Sequence, residues 1–155
     1  MDLAIAAETP LQDDVRDMVS ALNAHMIPLT PREFQFQLTV EQMAEPSVTV
    51  FVARNGDGNA VGMASLKEHG EGLGEVKRMF TKPEVRGQRV GSALLQQVEQ
   101  RARDRGLSRL VLETGEAPGF EVAWRIYERS GFTQCGAVLD YPDSGYSRFY
   151  EKKFA

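Results

Sequence analysis

The residues best suited to chemistry form one short run, Arg86-Gly87-Gln88-Arg89-Val90-Gly91-Ser92. Its two glycines let the backbone turn tightly and leave N–H groups uncovered by side chains. Where such a run opens a helix, those groups and the helix dipole together favour an anion. Basic residues crowd around it: Lys77, Arg78, Lys82, Arg86 and Arg89, against the single acid Glu84 in that interval. The run can therefore cradle a phosphate or pyrophosphate. Read blandly, it is a loop whose glycines serve only the turn. It is not a nucleoside-triphosphatase loop, because no Gly-Lys-Ser/Thr follows. The nearest match to a dinucleotide fingerprint starts at Gly56, fails at Val61 and falls inside a hairpin.

A phosphate cradle needs a strand before it and a helix after it, and the pattern supplies both. Glu75 to Thr81 reads as a strand, on which the period-two rule puts Glu75, Lys77, Met79 and Thr81 on one face. Ser92 to Arg105 reads as a helix, with Ala93, Leu94, Val98 and Ala102 on one side and Gly106 as its stop. Upstream, Leu3 to Ala7 is a short first strand. Thr9 and Pro10 then open a helix carrying Leu11, Val15, Met18, Val19 and Leu22. Thr30 with Glu33, and Thr39 with Gln42, have capping-box spacing. Val48 to Arg54 and Ala60 to Lys67 form a hairpin around a cluster of Asn, Asp and Gly. Gly70, Gly72 and Gly74 mark the next turn. Downstream come a strand at Leu107 to Glu113, a helix at Phe120 to Ser130 and two strands, Thr133 to Leu139 and Arg148 to Phe154. The order β-α-α-β-β-β-α-β-α-β-β predicts an α/β domain with one mixed, mostly antiparallel sheet flanked by helices. Its section from Glu75 to Glu113 can be a parallel crossover.

Composition narrows the function classes. At 155 residues, residues 1–155 are expected to form a single domain with its own core. Apolar residues are 42% and charged residues 26%, which argues against disorder. The net charge of −4 argues against a nucleic-acid binder, whose affinity rests on clustered Lys and Arg. With Cys135, His25 and His69 as the whole thiol and imidazole supply, no Cys/His zinc cluster is expected. No apolar run approaches the roughly 18 residues of a membrane span. The first residues carry an acid and no basic segment, so the expectation is a cytoplasmic protein without a secretory signal. Edge strands would permit a homodimer.

Beside these readings stands a resemblance. Arg86-x-x-x-x-Gly91 resembles the R/Q-x-x-G-x-G/A signature of the GNAT superfamily, the acyl-CoA-dependent N-acyltransferases. Ser92-Ala93-Leu94-Leu95 after it fits too. Tyr127-Glu128-Arg129-Ser130-Gly131-Phe132 resembles the family's L-Y-x-x-x-G-F block, and the element order is similar from end to end. Two positions depart from the pattern. Arg89 stands where the signature has its first glycine, and Phe120, seven residues before Tyr127, stands where Asn or Gln is common.

The resemblance implies a function: transfer of an acetyl group from acetyl-CoA to the primary amine of a small molecule, amino acid or peptide, without a metal. It implies a cleft between two splayed strands. The backbone of Met79, Phe80 and Thr81 would hold the pantetheine arm. Arg86 and the amides of Gly87, Gln88, Arg89, Val90, Gly91 and Ser92 would take the pyrophosphate. A backbone N–H near Met79 or Phe80 would face the oxyanion. Glu75, eleven residues before Arg86, would be the general base, and Tyr127 the acid that protonates the leaving sulfur. The alternatives are a non-catalytic acyl-CoA-binding module and a protein-modifying acetyltransferase. Cys135 and His69 are expected to be a small hydrophobe and a solvent-facing turn residue. Tyr141, Tyr146 and Phe149 either line the acceptor pocket or pack in the core.

Overall fold

The computed structural model describes residues 3–29 and 38–154. The elements run β1 (Ala4–Ala7), α1 (Asp13–Met26), α2 (Val40–Met43), β2 (Val48–Arg54), β3 (Ala60–Gly70), β4 (Leu73–Thr81), α3 (Val90–Asp104), β5 (Arg109–Gly115), α4 (Glu121–Arg129), β6 (Thr133–Cys135) and β7 (Ser147–Lys153). The seven strands form one sheet in the order β1-β2-β3-β4-β5-β7-β6. Every pairing is antiparallel except that of β4 with β5.

Two cores cover the two faces. On one, Phe51, Ala53, Leu66, Val76, Leu110 and Leu112 meet Leu94, Leu95, Val98 and Ala102 of α3 and Tyr127 of α4. On the other, Val50, Val52, Met63 and Phe80 meet Val15, Met18, Val19 and Leu22 of α1 and Val40 and Met43 of α2. Strand alternation and helical spacing each sort these side chains to one side. Thr39 and Gln42 form the capping box that starts α2: Gln42 N donates to Thr39 Oγ1 at 3.1 Å and Thr39 N to Gln42 Oε1 at 2.9 Å. The expected box at Thr30 and Glu33 lies outside the described residues.

Several local expectations change. α1 begins at Asp13, not at Thr9. The Thr9 hydroxyl accepts from Leu11 N at 3.2 Å, closing a turn ahead of the helix, and Leu11 is 48% exposed. The strand expected to reach Leu139 stops at Cys135, and Leu139 has a left-handed φ of 53°. α3 starts at Val90, before Ser92, which brings Gly91 into its first turn.

The largest change is on β4. Ser65 pairs with Lys77 and Met63 with Phe80, so Arg78 and Met79 together oppose Ala64 alone. This is a β-bulge, with Arg78 left-handed at φ 53°. Strict alternation across Glu75, Lys77, Met79 and Thr81 therefore fails. Met79 packs on the α3 side beside Val76, while Phe80 joins the α1 side.

Candidate active site

The parallel ladder between β4 and β5 is short. It pairs Leu73 with Arg109, Gly74 with Leu110 and Glu75 with Val111, and then ends. β4 continues to Thr81 and β5 to Gly115 with no further pairing between them. A cleft occupies the gap, with about 1090 Å³ of empty space including its open mouth. Its walls come from residues 75–81 of β4, Glu113 and Thr114 of β5, α4, and Leu22, His25 and Met26 of α1.

On one side of the gap lies an uncapped helix start. The first hydrogen bond of α3 runs from Ala93 N to Arg89 O at 3.0 Å, and no side chain caps the helix. The amides of Val90, Gly91 and Ser92 therefore have no partner within the helix. Gly91 is a packing glycine: a Cβ there would lie 3.0 Å from Met79 Cε and 3.0 Å from Ile126 Cδ1. Arg89 adopts the left-handed conformation, φ 63°, that the resembling signature gives to glycine. Its backbone thus takes the required turn, and its side chain, like those of Arg86 and Gln88, is exposed. Met79, Phe80, Thr81 and Arg86 line the cleft itself.

On the other side lie buried polar groups. Glu75 is 2% exposed. Its carboxylate faces His69 Nε2 at 2.9 Å, and accepts from Lys77 Nζ at 3.3 Å and from the Tyr141 hydroxyl at 2.5 Å. Lys77 Nζ also donates to the Tyr141 oxygen at 2.6 Å. His69 lies at the end of β3 and not in a turn; the residue is exposed, as expected, with its ring turned onto the expected base. Glu113 projects from the neighbouring strand and receives one side-chain hydrogen bond, from Ser147 Oγ at 2.6 Å. Burial raises the Glu113 pKa above the usual carboxylate range. The Ser147 hydrogen bond and Lys77 oppose that rise, and the charge on Glu75 adds to it. Glu113 escaped the sequence reading. Its one signal was an acid at the end of the apolar run Leu110-Val111-Leu112, in phase with Val111.

Tyr127 lines the cleft from α4 and is 6% exposed. Its ring packs edge-on against Phe132 at 6.2 Å and tilted against Tyr150 at 5.8 Å. Among the described residues no hydrogen bond engages its hydroxyl. Burial, with Glu113 and Tyr150 adding to it, holds that hydroxyl well above the usual phenol range, so it keeps its proton. Tyr127 is a core aromatic that also lines the cleft. Phe120 packs so closely on Gly115 that a Cβ at Gly115 would sit 2.1 Å from its ring. An apolar contact thus occupies the position where the family pattern has an amide. Cys135 is half-buried and its thiol is pushed up by burial, which makes it a poor nucleophile.

The match to the family model for the acetyltransferase (GNAT) family spans residues 15–132. The chain belongs to the GNAT family. It is 38% identical over 152 residues to an IAA acetyltransferase of Azospirillum brasilense, covering 97% of each chain. A crystal structure from Klebsiella pneumoniae, described as an acyl-CoA N-acyltransferase, superposes with a TM-score of 0.82 at 30% identity, covering 97% of both chains. The PaiA N-acetyltransferase of Thermoplasma acidophilum, solved with coenzyme A, shares the fold at a TM-score of 0.72 and 16% identity, covering 99% of this chain and 100% of that one. This GNAT protein is an acyltransferase with the expected mixed sheet flanked by helices. Among the described residues no helix is long and apolar enough to cross a membrane. Nor do any of them group three or more His, Cys, Asp or Glu side chains to hold a metal ion.

Proposed function

We propose that this chain, acting as a single N-acetyltransferase domain, moves an acetyl group from acetyl-CoA to the primary amine of a small molecule, amino acid or peptide by direct attack. One observation carries the reading: the gap between β4 and β5 has an uncapped helix N-terminus on one side and, on the other, the buried carboxylate of Glu75 beside the half-buried one of Glu113. The first suits a pyrophosphate and the second an ammonium, and the acyl group must lie between them.

Acetyl-CoA would supply an activated thioester. Arg86 and the amides of Gly87, Gln88, Arg89, Val90, Gly91 and Ser92 would hold its pyrophosphate, and the backbone of Met79, Phe80 and Thr81 its pantetheine arm. The bulge at Arg78 interrupts the β3–β4 ladder beside Met79, where a backbone donor for the oxyanion is needed. The acceptor arrives as an ammonium and must lose a proton. Glu75 and Glu113 are the groups that can take it. Glu113 has fewer donors on it and a raised pKa, which brings it nearer the operating pH of a general base. Glu75 accepts hydrogen bonds from Lys77 and Tyr141 and acts on the same proton as the second member of the pair. Tyr127 then gives its proton to the departing sulfur.

Thiol release from acetyl-CoA across a panel of amines tests this. Release with at least one amine is expected, with kcat/KM rising with pH through an acid limb above the ordinary carboxylate value. Coenzyme A binding without release for any amine would leave a non-catalytic binding module. Release only with intact proteins would mark a protein-modifying enzyme.

A further inference from the structure

Arg78 is the cleft residue that the proposed chemistry leaves unused. The bulge turns it toward α1, where Nη2 donates to Asn23 Oδ1. The residue is 7% exposed, and Nε is buried without a hydrogen-bond partner. Among the described residues no carboxylate pairs with it. The other basic side chains on the cleft wall differ. Lys77 is matched by Glu75 and Tyr141, the His25 ring meets Gly119 O at 3.3 Å, and Arg86 is exposed on the pyrophosphate side. A buried guanidinium without a counter-charge is costly, and burial accordingly pushes the Arg78 pKa down to about 10. The cost falls once an oxyanion meets the planar donor fork.

We propose that Arg78 anchors an oxyanion carried by the amine acceptor, so that the acceptor class is α-amino acids or short aminophosphonates rather than simple amines. This rests on the N-acetyltransferase reading and deepens it. Glu75 and Glu113 face the ammonium end of such a zwitterion, and Arg78, on the α1 wall of the same cleft, faces its anionic end. Asn23 is a positioning residue that aims the guanidinium.

The test is the kcat/KM of the wild-type protein for matched acceptors. Alanine, methionine, phenylalanine and glutamate are each compared with their primary amides, and 2-aminoethylphosphonate with propylamine. The acid of at least one pair should be favoured by roughly 10- to 100-fold, the worth of a charged hydrogen-bonded contact. Preference in the amino-acid pairs identifies a carboxylate ligand, and preference in the phosphonate pair a phosphonate. Arg78→Gln should bring the ratio close to one with coenzyme A affinity unchanged, while Arg78→Lys should retain part of it. Because the wild-type comparison needs no variant, a Gln variant that fails to fold leaves the test standing. Release from acids and neutral analogues alike overturns this inference and leaves the enzyme reading intact. An equal fall for both members of each pair in Arg78→Gln also overturns it, assigning Arg78 to the reaction centre. No release with any amine overturns both readings together.

Discussion

Arg54 and Arg78 place the same guanidinium in opposite surroundings. Arg54, at the end of β2, has its donors filled. Glu8 accepts from Nε at 2.9 Å and from Nη2 at 2.7 Å, Asp14 from Nη1 at 2.8 Å, and Gly58 O from Nη1 at 3.0 Å. Those contacts tie the chain around β1 and α1 to the β2–β3 turn, and the hydrogen bonds to Glu8 and Asp14 strengthen the hold of Arg54 on its proton. Arg78 is more deeply buried and, among the described residues, has one side-chain hydrogen-bond partner, an amide. A saturated arginine reports what holds the fold together. A buried arginine with open donors reports something yet to arrive, because an unpaired buried charge costs stability that a ligand can return.

The comparison can be broken most directly at the cleft. Glu113→Gln and Tyr127→Phe are each expected to lower kcat about 100-fold or more, the usual worth of a positioned acid or base, with melting temperature nearly unchanged. Glu75→Gln should cost less than Glu113→Gln; the reverse order would make Glu75 the principal base. Stopped-time thiol assays and thermal melts on the same preparations decide this.

Arg54→Ala should do the opposite, leaving turnover intact while costing about 2 kcal/mol of stability, or roughly 4–8 °C in melting temperature. The pH dependence sharpens it. The hydrogen bond from Arg54 holds the Glu8 carboxyl below its ordinary value. Its stabilisation is therefore present above the unfolded carboxylate value and lost as pH falls through the lower folded value. Melts of the wild type should show that acid-side loss, and melts of Arg54→Ala should lack it.

Arg78→Gln should move stability by a smaller amount in the other direction, a gain of about 1 kcal/mol at neutral pH from removing an unpaired buried charge. A large loss on melting would class Arg78 with Arg54 as a structural residue. The smallest effect is expected at Arg89. Arg89→Gly relieves a left-handed residue, worth about 1 kcal/mol of stability before the flexibility of glycine in the unfolded chain offsets part of it. It should weaken coenzyme A binding modestly, as read by titration calorimetry, through loss of one exposed cation.

Much of the frame was legible because it is encoded over a few neighbouring residues. The helical spacing of Val15, Met18, Val19 and Leu22, the alternation in β2 and the Thr39–Gln42 box each need no distant partner. The loop proposed to hold the pyrophosphate was legible for the same reason, since glycine spacing and a helix start are local. Glu113 was not, and Arg78, counted by its charge among the basic residues around that loop, is instead buried and turned toward Asn23. What makes them notable is burial and the presence or absence of partners, and both are supplied by elements remote in the chain.

By itself the sequence determined the order of elements, the glycine-bearing loop that opens α3 and, through two motifs, the family. Tertiary structure alone decided where the β4–β5 ladder stops, and so where the cleft opens. It decided that the bulge turns Arg78 toward Asn23, 55 residues away, and that Tyr141 crosses 66 residues to reach Glu75. The physical reason is range. Turn and periodicity preferences act within one or two turns of chain, whereas charge balance in a buried cleft depends on which strands and helices meet there.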